Sequence, residues 1–155
     1  SEDVRAEVLF AQAMVETGWL QFGGDVDRNG KVQCNFGGLG ATGNGVAGEE
    51  FPDVKTGLLA QAQHLKGYAS TAPLNQSCVD TRFGLLAGKR GSAPTVDKLS
   101  GTWAADKTYG TKVMNVRQAF GLLIRRRRAS PAKFGALSEN GERVFYVFIF
   151  CSRKL

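Results

Sequence analysis

Glu16 closes the apolar run Ala11-Gln12-Ala13-Met14-Val15 and is followed by Thr17-Gly18-Trp19. At 100° per residue, Gln12 and Glu16 fall on one helix face, flanked by Val8, Leu9 and Val15. An ionised carboxylate is disfavoured there twice. The apolar flanks exclude water, and the negative end of the helix dipole repels a like charge. Both effects raise its pKa toward the range where a carboxylic acid donates a proton near neutrality. In a fully solvated last turn the same residue is an ordinary surface glutamate, so the rest of the chain must decide.

Other residues offer weaker chemistry. Glu49 and Glu50 form an acidic pair that by itself suits a solvated loop. His64 is the single histidine and lies beside Leu65 on an apolar helix, which suits packing or a structural hydrogen bond. No Ser-His-Asp arrangement accompanies it. Asp25-Val26-Asp27-Arg28-Asn29-Gly30 matches the first half of a calcium loop, but its twelfth position is Phe36 rather than a bidentate Glu. A hairpin turning at Asn29-Gly30, with Val26 and Val32 to one side, accounts for the same residues without a metal. Gly37-Gly38-Leu39-Gly40 lacks the Lys-Ser/Thr of a phosphate loop. Glycine-exposed backbone in Asn35-Phe36-Gly37 suits a sugar acetamido group instead, with aromatics for the apolar sugar faces. Trp19 and Trp103 suit either sugar stacking or a core. Cys34 and Cys78 form one bridge or stay free, with Cys151 left over; none has zinc-ligand spacing.

The elements that must position these groups follow from periodicity. One domain suits 155 residues, and 20 glycines predict a loop-rich fold. Spacing of Val4, Val8, Ala11 and Val15 predicts a helix over 2–17. Leu58, Ala62, Leu65 and Ala69 form an apolar stripe on a second helix over 55–69. A short element near 80–86 follows, then a helix from Thr95 with Val96 and Leu99 inward. A last helix is expected over 105–119, carrying Tyr109, Val113 and Val116.

The net charge of +6 is unevenly spread. Residues 1–112 hold 11 basic and 12 acidic side chains, whereas residues 113–155 hold 9 and 2. Arg125-Arg126-Arg127-Arg128 centres the basic part, read as a solvated tail over 119–155 that ends in the apolar run 144–150. The arginine run itself has no interleaved aromatics, so no nucleic-acid partner is expected. No run reaches the ~20 apolar residues of a membrane span. The chain opens without methionine or signal peptide and reads as a mature form, an excised domain or a fragment.

Taken together, Ala11-Gln12-Ala13-Met14-Val15-Glu16-Thr17-Gly18-Trp19, Asn35-Phe36-Gly37-Gly38-Leu39 and Tyr109-Gly110 resemble the endo-β-N-acetylglucosaminidases of glycoside hydrolase family 73. Gln61, Gln63, His64 and Tyr68 with their neighbours, Arg82-Phe83, and the stretch from Leu99 to Trp103 are similar to one branch of it. The resemblance covers about residues 5–115. It implies an α+β, mostly helical, lysozyme-like domain over 1–118, shortened at its N-terminus. It implies Glu16 as catalytic acid, Tyr109 as the residue positioning an acetamido group or water, and Glu50 as second carboxylate, or substrate assistance in its place. Gln12, Trp19, Asn35, Phe36, Gly37 and Trp103 would bind substrate. Peptidoglycan glycan strands are the implied partner of a monomer, secreted or at the cell wall, that needs no cofactor.

Overall fold

The computed structural model of the protein describes residues 2–22, 33–41 and 48–129, with side chains as far as Gly121. Among these residues the frame is three α-helices: α1 over Ala6–Glu16, α2 over Val54–Ala69 and α3 over Tyr109–Ala129. Two short 3-10 turns, Phe83–Leu86 and Val96–Leu99, lie between α2 and α3. The protein is mostly helical, and among the described residues the nearest thing to a sheet is an isolated bridge between Ser100 and Ala104. The hairpin expected at Asn29-Gly30, the loop at 25–30 and the apolar run at 144–150 lie outside the described residues.

α1 starts at Ala6, later than its periodicity predicts. Glu2, only 2 % exposed, is drawn away to accept from the backbone N–H groups of Asn75 at 2.9 Å and Gln76 at 3.1 Å. It also pairs with Lys66 Nζ at 3.4 Å. At the other end, Thr17 turns its N–H and its hydroxyl onto the Ala13 carbonyl, and Thr17 Oγ1 accepts from Leu20 N at 2.8 Å. Gly18 is left-handed, as expected, but Trp19 and Leu20 follow it at φ 64° and 63°. That conformation costs a non-glycine residue about 1–2 kcal/mol. Trp19 N–H to Met14 O and Phe22 N–H to Thr17 O, both 2.8 Å, hold the turn.

α2 is the central helix. Asp53 caps it, Oδ1 accepting from Thr56 N at 2.7 Å. The sequence predicts one apolar stripe, yet every residue from Gln61 to Tyr68 is buried, while Ala69 is exposed. A helix buried all round must satisfy its polar side chains within the protein. Gln63 Oε1 accepts from Val79 N at 2.8 Å and its Nε2 donates to Ser77 O at 2.9 Å. Lys66 Nζ donates to Asn75 Oδ1 at 2.8 Å.

The helix expected from Thr95 is the single turn Val96–Leu99, with Leu99 in the core. α3 begins at Tyr109 rather than near 105, because Asp106 folds the preceding turn. Asp106 Oδ1 accepts from Thr108 N and Oγ1, both at 2.7 Å, and Oδ2 holds Lys112 Nζ at 2.6 Å. α3 then continues past 119 to Ala129.

Ala11, Leu65, Tyr68, Leu99, Tyr109 and Val113 form a core shared by all three helices. Ala13 and Met14 pack with Phe36, and Leu39 and Phe51 pack on Ala60. The loop at 33–41 is thus wedged between α1 and α2. Cys34 and Cys78 are free thiols.

Candidate active site

Glu16 ends α1 beneath residues brought from far along the chain. Trp103 Nε1 donates to Glu16 Oε1 at 2.8 Å, and the Tyr109 hydroxyl donates to the same oxygen. The other oxygen, Oε2, faces Gly38. A Cβ at that position would lie 2.8 Å from it, and Gly38 has φ 60°, so a larger residue there would push the carboxyl group aside and strain the turn. Burial raises the Glu16 pKa, with the Tyr109 and Trp103 bonds working against the rise. The Tyr109 phenol is itself pushed well above its usual range by burial and by the Glu16 charge. With two donors on Oε1, the proton of the neutral acid belongs on Oε2, toward Gly38. A partly buried carboxyl group with both donors on one oxygen is suited chemically to giving up a proton from the other.

The model of the glucosaminidase family, mannosyl-glycoprotein endo-beta-N-acetylglucosaminidase, matches residues 1–122. The chain belongs to this family. An uncharacterized protein of Borreliella burgdorferi (strain ATCC 35210 / DSM 4680 / CIP 102532 / B31) is 44 % identical over 115 residues, 74 % of this chain and 54 % of that protein. The chain therefore spans about half the length of that relative. No solved structure matches it.

In this glucosaminidase-family chain, the structure gathers Glu16, Tyr109, Trp103 and Gly38 at one point. Gly37 borders them, its Cβ position 3.4 Å from Trp103 Cζ2. Asn35 is buried and fully engaged within its own loop: Nδ2 donates to Leu39 O at 2.8 Å and Oδ1 accepts from Leu39 N at 2.9 Å. Phe36 is in the core, 5 % exposed, against Ala13 and Met14. Gln12 is 0 % exposed, its Oε1 accepting from Gln61 Nε2 at 2.8 Å between α1 and α2 rather than lying on a surface. Trp19, by contrast, is lifted outward by the left-handed turn and is 59 % exposed.

The two glutamates differ. Glu49 is tied down, Oε2 accepting from Thr81 Oγ1 at 2.8 Å and Oε1 facing Arg82 Nη1 at 3.4 Å, while Glu50 is exposed. His64 makes the expected structural bond, Nδ1 to Asp80 Oδ2 at 2.6 Å. Its ring also meets the Trp103 ring edge-on at 5.1 Å, so it buttresses the indole that donates to Glu16. Three contributors are not legible in the sequence: Gly38 as the wall of Oε2, Asp80 as partner of His64, and Gln61 behind Gln12. The i, i+4 spacing of Gln12 and Glu16 places Gln12 on the Glu16 face, but nothing in it points to Gln61, which meets Gln12 from 49 residues away.

Proposed function

We propose that this protein hydrolyses the β-1,4 bond after N-acetylglucosamine in peptidoglycan glycan strands, as an endo-β-N-acetylglucosaminidase on a lysozyme-like scaffold. The observation that carries the reading is the Glu16 carboxyl group, partly buried, bound by two donors on Oε1 and clear of them on Oε2. Glu16 Oε2 protonates the leaving glycosidic oxygen. On the opposite face of the sugar, the exposed Glu50 or the substrate's own acetamido oxygen completes the displacement. Tyr109 and Trp103 hold the carboxylate that remains and stabilise it by hydrogen bonds. Trp19 and Trp103 supply aromatic faces for sugar rings. The catalytic domain, expected over 1–118, extends at least to Phe120, whose ring packs on Phe10 of α1 at 4.3 Å, and the basic part of the sequence follows it. The enzyme acts as a monomer outside the cell or in its wall. Among the described residues no helix is long and apolar enough to cross a membrane.

The decisive test is mass spectrometry of muropeptides from purified wall. Hydrolysis leaves reducing-end N-acetylglucosamine. Anhydro-sugar ends would replace this reading with lytic transglycosylation, which needs one carboxyl group and no water nucleophile.

Tyr109→Phe removes one of the two donors that favour ionised Glu16, so the Glu16 pKa rises further. Glu16 acts in its protonated form, and activity is lost as pH climbs through that pKa. The alkaline limb of the pH–rate profile is therefore expected to move up, while kcat falls about ten- to a hundred-fold. A limb that stays put or moves down counts against this role for Tyr109.

A further inference from the structure

The turn at 80–82 reaches both oxygens of the Glu16 carboxyl group through chains of contacts. Asp80 is buried, and both of its oxygens are engaged. Oδ1 accepts from the Arg82 backbone N–H at 2.9 Å, and Oδ2 meets His64 Nδ1 at 2.6 Å. A carboxylate oxygen only accepts, so the His64 proton sits on Nδ1, which fixes the orientation of the ring. Held there, the imidazole meets the Trp103 ring edge-on at 5.1 Å, with the Tyr68 ring 5.8 Å from the same indole. Trp103 Nε1 then donates to Glu16 Oε1 at 2.8 Å. The other two side chains of the turn go to Glu49. Thr81 Oγ1 donates to Glu49 Oε2 at 2.8 Å, and Arg82 Nη1 to Oε1 at 3.4 Å. Glu49 in turn holds the 33–41 loop twice. Its N–H donates to Leu39 O at 2.7 Å, and its Oε1 lies 3.2 Å from where a Gly40 Cβ would stand. Gly38, next to Leu39, faces Glu16 Oε2.

We propose that Asp80 and Glu49 are positioning residues for the Glu16 acid, joined through the 80–82 turn so that the walls on Oε1 and Oε2 are held at one spacing. The inference rests on Glu16 acting as the general acid, and it deepens that reading by naming what fixes the surroundings of the carboxyl group. Both carboxylates act through the hydrogen bonds they accept, and neither reacts. Spacing matters because a shift of about 1 Å at a reacting group costs on the order of a hundred-fold in rate.

The test sets amide against alanine at both carboxylates in the full chain. Asp80→Asn keeps an acceptor for the Arg82 N–H and donates to His64 Nδ1 in its other tautomer. Glu49→Gln accepts from Arg82 and donates to the Thr81 hydroxyl, which takes either role. Asp80→Ala and Glu49→Ala remove these bonds. In muropeptide release, each alanine variant is expected to lower kcat about ten-fold with KM unchanged, and each amide variant to stay within about three-fold of wild type. The second readout needs no turnover. The Trp103 indole N–H gives one of two such proton NMR signals in the chain, assigned by its absence in Trp103→Phe. Its downfield position, set by the bond to Glu16, is expected to move upfield in Asp80→Ala and to stay in Asp80→Asn. Should Asp80→Ala fail to fold, His64→Leu carries that measurement, since it removes the imidazole that Asp80 holds. Glu49→Gln as inactive as Glu49→Ala overturns the proposal, because it marks a carboxylate that reacts. Full activity in Glu49→Ala, or an unmoved indole signal in folded Asp80→Ala or His64→Leu, overturns it too. So does a raised KM with kcat preserved, which marks a direct glycan contact. A wild-type chain that releases no muropeptides yet shows the indole shift overturns the assigned reaction and supports the bracing of Glu16.

Discussion

Glu16→Gln is expected to lower muropeptide release from purified cell wall by about a thousand-fold, with wall binding retained. Glutamine keeps the shape and still accepts from Trp103 and Tyr109, but it has no acidic proton to deliver from the Oε2 position. A variant that binds and releases as the wild type does would mean that the groove only holds glycan. The same substitution has a second, opposite effect on stability. Burial raises the Glu16 pKa in the folded state. Between its unfolded and folded values the native protein then holds more protons, so stability falls as pH rises through that window. The loss is complete above the folded value and absent below the unfolded one. A folded pKa one pH unit above the unfolded one corresponds to about 1.4 kcal/mol. Thermal unfolding is therefore expected to show Glu16→Gln equal to wild type in acid and more stable at alkaline pH. A difference that is flat with pH would contradict a raised Glu16 pKa.

Gly57→Ala is expected to destabilise the fold by about 3 kcal/mol or more, at the upper end of overpacking. Gly57 sits in the first turns of α2, where a Cβ would lie 1.9 Å from the Cys34 carbonyl oxygen and 3.0 Å from its carbon. Those are backbone atoms, which cannot swing aside as a long side chain can. Relief requires α2 and the 33–41 loop to separate. That loop carries Gly38 against Glu16 Oε2, and Phe36 and Leu39 into two core clusters. Circular dichroism melting should place the midpoint about 10 °C or more below wild type. A midpoint within a few degrees would mean that the helix and loop are less tightly apposed.

Local pattern made much of the frame legible. The 3–4 residue spacing located α1 and α2 within a few residues, and Gly18 marked the end of α1. The errors share a cause. Glu2 and Asp3 read as the first turn of α1, but side-chain bonds to the 75–76 backbone pull Glu2 out of it. α2 read as amphipathic because glutamine, histidine and lysine count as polar in any pattern. Their burial depends on partners at Val79, Ser77, Asp80 and Asn75, which lie outside the helix. Periodicity measures which side chains prefer water, and cannot see which of them find a substitute for it.

The candidate site divides in the same way. Glu16 is legible from its own stretch of chain: an apolar run sets its burial, helix geometry puts Gln12 on its face, and the motif order marks the family. Those are properties of adjacent residues. Packing supplied what surrounds the carboxyl group. Tyr109 and Trp103 reach Oε1 across 93 and 87 residues, and Gly38 closes on Oε2 from a loop between helices. It also drew Asn35 into closing its own loop and Phe36 into the core. Which oxygen of Glu16 keeps its proton is set by donors that only the folded chain brings together. The identity of an acid is written locally, because burial and charge act on neighbours. Its direction depends on hydrogen bonds, which join atoms wherever the chain places them.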